Sequence, residues 1–224
     1  MTIAMPYRLN VLHARSIVSA INAYSGTSYP EGPCLIVEAT GSEAMVLADL
    51  ELVQEIAESE GALEIVHERD PDARARLWKA RHDAAHATAA KMPGTKERAT
   101  DVCVPLTELA GAVRFARAEI DRLGLHAGIV GHAGDGNVHI AVQVADDPGE
   151  LARSEELVHN VVDDALARGG TCTGEHGIGL GKIGALEQEH GDLIPLMRAI
   201  KDSFDPNGIL NPGKVLPAAA ARTS

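Results

Sequence analysis

At 224 residues, 45% of them hydrophobic, the chain is long enough to bury a sizeable core as one large domain or two small ones. Its formal charge of −12 argues against binding to a phosphate backbone and against docking on anionic lipid through a basic patch, so no nucleic-acid partner is expected. Cys34, Cys103 and Cys172 are odd in number, far apart and without a Cys-x-x-Cys pair, which argues against a disulfide framework or a thiolate zinc knuckle and fits a reducing, cytoplasmic setting.

The first two dozen residues carry Arg8 and Arg15 and no acid, but no apolar core of signal-peptide length, and they read as folded sequence. No stretch approaches the ~18 consecutive apolar residues of a membrane-spanning helix, so any membrane association is expected to be peripheral. Val11 to Tyr24 has helical spacing, Pro33 to Ala39 reads as a strand, and Ser42 to Glu60 is a long amphipathic helix with Ser42 at the N-cap position. A strand over Leu63 to His67 follows. Asp70 and Pro71 open a helix running to about Ala90, stopped by Pro93-Gly94. Thr100 to Val104 reads as a strand ending at Pro105, followed by a helix to Leu123. Ala127 to His132 and Val138 to Val144 are the strands of a hairpin, and Pro148 to Arg168 is a helix closed by Gly169-Gly170. Two shorter helices fill Gly181 to Phe204. The hairpin forces an antiparallel pair, so the expected class is α+β: an antiparallel sheet with helices packed on one face, plus a C-terminal helical segment. Residues 1–170 are expected to form the first unit and 171–216 the second, with 217–224 a disordered tail of small and polar residues.

Chemistry concentrates between Gly131 and Ile140, where Gly-His-Ala-Gly-Asp-Gly-Asn-Val-His-Ile sets two histidines symmetrically about an Asp-Gly pair, a strong hairpin signal. With Asp135 and Gly136 as the central turn residues, His132 falls directly opposite His139. Cross-strand Cβ atoms stand about 4.5–5.5 Å apart, a span that one metal ion bound by two ring nitrogens bridges. Opposed histidines also occur simply hydrogen-bonded to backbone, and a third ligand decides between the two readings. Glu175, in Gly174-Glu-His-Gly-Ile-Gly179, is the candidate: two histidines and a carboxylate leave coordination positions open, as catalytic sites require, and suit zinc, manganese or iron. Two nucleotide-loop patterns fail. Gly177 and Gly179 begin a dinucleotide fingerprint whose last glycine position is Lys182, and Gly208 to Lys214 has phosphate-loop spacing but contains Pro212 and is followed by Val215.

The hairpin motif, Thr171-Cys-Thr-Gly-Glu-His-Gly-Ile-Gly179, and Phe204-Asp-Pro-Asn-Gly-Ile-Leu-Asn-Pro-Gly-Lys-Val215 occur in this order in FAD-linked 2-hydroxyacid dehydrogenases, which the chain resembles. The resemblance extends through Leu77-Trp-Lys-Ala-Arg-His82 and Thr100-Asp-Val-Cys-Val-Pro105, and so covers about Ile21 to Leu216. It implies a ferredoxin-like cap that binds substrate, followed by a segment facing metal and flavin. It also implies that His132, His139 and Glu175 are metal ligands, that His176 is the base taking the hydroxyl proton, that Arg81 grips the substrate carboxylate, and that Asn211 lies close to the flavin. Relatives acting on 2-hydroxy dicarboxylates have Lys-Tyr-Asp where this chain has Ala99-Thr-Asp101, and Asn where it has Ala141, so the resemblance implies a small 2-hydroxy monocarboxylate such as D-lactate. The family's FAD pyrophosphate-binding domain precedes this region, so FAD is expected to be held mainly by a separate domain or subunit, and electrons to pass to a cytochrome, a quinone or another flavoprotein. The competing expectations are a truncated, inactive product and a stand-alone metal-dependent hydrolase using the same His-His-Glu set.

Overall fold

The computed structural model describes residues 7–13 and 15–217. Five strands, β1 (Tyr7–His13), β2 (Cys34–Ala39), β3 (Lys96–Cys103), β4 (His126–His132) and β5 (Asn137–Val144), form one sheet in the order β2-β1-β4-β5-β3, every neighbouring pair antiparallel. Eight helices accompany it: α1 (Arg15–Ser25), α2 (Glu43–Ser59), α3 (Pro71–His82), α4 (Ala84–Lys91), α5 (Leu109–Leu123), α6 (Pro148–Ala167), α7 (Ile183–His190) and α8 (Ile194–Phe204). The α+β class and the antiparallel sheet are as the sequence indicates. Residues 1–6 and nearly all of the expected tail, 218–224, lie outside the described residues.

The helices divide between the two sheet faces. Val102, Ala127, Ile129, Val138, Ile140, Val142 and Val144 alternate toward α5 and α6, where they meet Ala112, Ala116, Ile120, Leu157, Val161 and Val162 in the main core. Val130, on the opposite face, joins a second cluster with Ile17, Ala20 and Ile21 of α1 and Ala80, Ala84 and Ala87 of α3 and α4. The central strands are therefore buried on both sides, and the alanines allow α4 to approach α1 closely.

Four local expectations are corrected. The helical pattern from Val11 begins instead with a strand: Tyr7–His13 alternates with period two and is claimed by β2 and β4 on its two edges, so helix starts only at Arg15. Leu63 to His67 alternates equally well but forms no strand. Leu63 is fully exposed, and an extended segment without a neighbouring edge has nothing to receive its backbone hydrogen bonds. The helix opened by Asp70, whose carboxylate caps Ala73 N at 2.8 Å, breaks at Asp83 into α3 and α4, while Ala80, Ala84 and Ala87, at i, i+4, i+7 spacing, all pack in the cluster with α1. Ser42 occupies the N-cap position of α2 without a side-chain cap bond.

The fourth correction concerns the hairpin. Its loop has four residues, Ala133 to Gly136, so His132 pairs with Asn137 and His139 with Val130. The reason is tertiary. Val104 N donates to Gly136 O at 3.0 Å, which draws the turn onto the end of β3, and a Cβ on Gly136 (φ 73°) would lie 2.0 Å from Val104 O. The register moves by two, an even number, so every side chain keeps its face.

Ile140 is completely buried at the centre of the main core. Ile140→Ala is expected to cost about 2–5 kcal/mol through lost transfer free energy and an unfilled cavity, read as a lower urea midpoint at unchanged slope.

Candidate active site

On the α1 side of the sheet, β4 presents His132, β5 presents Asn137, His139 and Ala141, and β3 presents Ala99 and Asp101, with Asp101 directly opposite His139 and Ala99 opposite Ala141. His132 and His139 are diagonal neighbours, their ring centroids 5.3 Å apart and their planes nearly perpendicular. Side-chain period, rather than direct opposition, is what puts them together.

The remaining groups arrive on the segment after α6. Thr171 N donates to Cys103 O at 2.8 Å and Thr171 O accepts from Cys103 N at 3.3 Å, which lays the returning chain beside the end of β3. The loop from Thr173 to Lys182 then closes around Asp101. One carboxylate oxygen of Asp101 accepts the backbone N–H groups of Gly174, Glu175 and His176 at 2.8, 2.6 and 3.0 Å. The other accepts Lys182 Nζ at 2.6 Å and the Thr173 hydroxyl at 3.3 Å. Asp101 is 0% exposed, and burial alone would push its carboxyl pKa up. The Lys182 ammonium and the loop amides outweigh that and hold it well below the usual carboxylate range. Gly174 is required by close approach, since a Cβ there would lie 2.2 Å from Asn137 Oδ1.

This loop carries Glu175 and His176 to the histidines. Glu175 Oε1 stands 3.0 Å from His139 Nε2, 3.6 Å from His132 Nε2 and 3.8 Å from His176 Nε2. The His176 ring stacks on His139 at 4.9 Å, 16° from parallel, with Nδ1 3.9 Å from Asp101 Oδ1. Burial lowers the pKa of His139, and the neighbouring His176 and His132 add to this against the opposing pull of Glu175 and Asp101. A neutral imidazole has a ring lone pair to offer.

Among the described residues, two sets of three side chains have donor atoms all within 4.8 Å of one another: His132, His139 and Glu175, and Asp101, His139 and His176. They are not equivalent. A cation about 2.0–2.2 Å from each donor, at tetrahedral or octahedral angles, separates neighbouring donor atoms by about 2.8–3.6 Å, which spans the spacings around Glu175 Oε1. Asp101 already accepts five hydrogen bonds and has little capacity left for a metal. The first set is the one whose donors fit a divalent ion.

Arg81, half-buried on α3, is within electrostatic reach of Glu175: burial lowers its pKa and the Glu175 carboxylate opposes that. Asn211 lies on the C-terminal segment and is tied to the site loop along the chain, through Val215. It occupies an exposed left-handed turn (φ 45°), its amide oxygen accepts Lys214 Nζ at 3.1 Å, and four residues later Val215 N donates to Gly179 O at 2.8 Å. Asp101 and Lys182 are the residues that sequence reasoning passed over as anchors. The signal for the first was a lone acid in the apolar run Thr100-Asp-Val-Cys-Val104, and for the second a lysine in place of the glycine that a dinucleotide loop requires.

Mitochondrial D-lactate dehydrogenase (cytochrome) of Arabidopsis thaliana is 40% identical over 202 residues, covering 89% of this chain and 36% of that protein. The probable mitochondrial D-lactate dehydrogenase of Danio rerio is 38% identical over 209 residues, covering 92% and 42%. Glycolate oxidase subunit GlcD of Escherichia coli is 36% identical over 185 residues, covering 82% and 37%. The chain thus spans about two-fifths of the length of these relatives. Among solved structures, p-cresol methylhydroxylase with substrate bound shares the fold with a TM-score of 0.60 at 16% identity, over 94% of this chain and 47% of that one. Residues 6–215 match the family described as FAD linked oxidases, C-terminal domain, and the chain belongs to that family.

Proposed function

We propose that this chain is the substrate- and metal-binding part of a flavin-linked D-2-hydroxyacid dehydrogenase that oxidises a small monocarboxylate of the D-lactate type to its 2-oxo acid. The observation that carries this reading is the His132, His139 and Glu175 donor set with His176 stacked beside it, in a member of the FAD-linked oxidase family. In this reading His132, His139 and Glu175 hold a divalent cation, zinc, manganese or iron. When bound, the cation supplies Lewis acidity that lowers the pKa of the substrate hydroxyl, and the flavin supplies the acceptor for the hydride equivalent.

The chain's own residues do the rest. Arg81 draws the substrate carboxylate toward the cluster by charge. His176 takes the hydroxyl proton, a common role for an imidazole beside a reacting hydroxyl, with the buried Asp101 carboxylate 3.9 Å from its Nδ1. His176 and Glu175 are half-exposed while His139 is 14% exposed, so the cluster is open on its outer side, where substrate and the flavin ring approach. Ala99 and Ala141 stand opposite each other beside the Asp101–His139 pair and offer no cation or amide to a second carboxylate. Desolvating such a group there goes uncompensated, which disfavours dicarboxylates.

The FAD phosphates are assigned to a separate domain or subunit, and the segment 171–216 to the side facing metal and flavin. The acceptor for the electrons is a cytochrome, a quinone or another flavoprotein, the first in keeping with the name of the Arabidopsis relative. Among the described residues no helix is long and apolar enough to cross a membrane, and any membrane contact is assigned to the periphery.

The reading is tested by measuring metal content, and D-lactate-driven dye reduction with the FAD-binding portion supplied. One metal per chain is expected, lost in both His132→Ala and His139→Ala; wild-type metal content in both variants would sink the site assignment. His176→Ala is expected to keep the metal and to lower kcat by about 10²–10⁴-fold. Ala99→Lys is expected to shift the kcat/KM ratio toward 2-hydroxy dicarboxylates by about tenfold or more.

A further inference from the structure

Glu175 and His176 sit on a glycine-bounded loop, and a loop of that composition has many conformations open to it. The conformation adopted here brings Glu175 Oε1 to 3.0 Å from His139 Nε2 while stacking His176 on the same ring. Both side chains are half-exposed, and their contacts are with each other and with the hairpin histidines. What holds them is the backbone, through three successive amides that converge on a single oxygen of Asp101. Asp101 in turn is fixed on the strand pair that carries His139, directly across from it.

From this arrangement we infer that Asp101, with Lys182 as its counter-charge, is the positioning device that presets Glu175 and His176 against the hairpin histidines before any ligand arrives. The device requires a carboxylate. An asparagine has one acceptor oxygen, an amide nitrogen that donates, and no charge, so it cannot serve the three backbone N–H groups on one side and the ammonium and hydroxyl on the other. Lys182, 11% exposed, closes the loop at its far end by donating to both the carboxylate and the backbone oxygen of Asp101, at 2.6 and 2.5 Å. The residues from 174 to 182 are thus gathered on one strand position, and the ligand and the base they carry move as a unit with β3 and β5. This role rests on the proposed use of Glu175 and His176, yet the loop's order is measurable without metal or flavin.

The test uses the full chain, comparing wild type, His132→Ala, Asp101→Asn and the Asp101→Asn/Lys182→Met double variant. The double variant removes both charges of the buried pair and keeps the question answerable if the single variant does not fold. Amide hydrogen exchange of Gly174, Glu175 and His176 is expected to accelerate at least about tenfold in the Asp101 variants, while Ile140 and Val142 amides of β5 keep wild-type protection. Co²⁺ affinity, read by its visible absorption, is expected to fall about 10–100-fold, as for loss of a group that orients a metal ligand. A residue that only supports the fold would deprotect β5 along with the loop. The inference is overturned if residues 174–176 keep wild-type protection, if they lose it only in step with β5, or if a wild type that binds Co²⁺ loses no affinity on Asp101→Asn. If the wild type binds no Co²⁺ but the loop alone is deprotected, the anchor stands and the metal assignment falls.

Discussion

The arrangement of the site depends on one buried charge. Asp101 is sealed from solvent on an interior face of the sheet, where an uncompensated carboxylate would cost several kcal/mol. Its compensation comes from a single contiguous stretch of chain, the loop amides of residues 174–176 and the ammonium of Lys182. Charge balance and loop geometry are thus the same requirement. The carboxylate is satisfied only when the loop is closed, and the closed loop is the one that faces Glu175 and His176 toward the sheet.

The two faces of the sheet divide the work. Toward α5 and α6 the strands offer an aliphatic surface that makes the main core and sets the rigidity of β3, β4 and β5. Toward α1 they are apolar where α1 and α4 cover them and polar beyond, where Asp101, His132, Asn137 and His139 cluster. Because β4 and β5 are pinned from behind, the diagonal spacing of the two imidazoles is a property of a packed sheet rather than of an exposed hairpin, and Arg81 is brought to the same region by α3, which packs on α1. The fold shared with p-cresol methylhydroxylase at 16% identity shows that this frame tolerates wide replacement of side chains.

Much of the site was legible in the chain because its residues occur in dense, glycine-bounded motifs whose residue types carry recognisable chemistry: His132 and His139 around a turn, Glu175 and His176 between glycines. The helices with clear caps and breaks, such as Pro148 to Ala167, were legible for the same reason of local signal. The two-residue turn was not. Its Asp-Gly signal is local and correct in kind, but the contact of Gly136 with Val104 is long-range and lengthens the loop. Tyr7–His13 and Leu63 to His67 show the same limit from both sides, since alternation makes a strand only where a neighbouring edge exists to accept it.

By itself the sequence determined the class of fold, the family and which residues are candidate donors, because these depend on residue type, period and motif order. The tertiary structure decided that the histidines meet diagonally rather than face to face, that helices cover both sides of the sheet, and that Asp101 and Lys182 hold the loop. Each of these turns on pairings between residues far apart in the chain, such as Asp101 with Glu175 and Gly136 with Val104. No periodicity encodes such pairings, because the partner is chosen only when the whole sheet is assembled and its buried charges and backbone groups must all be satisfied.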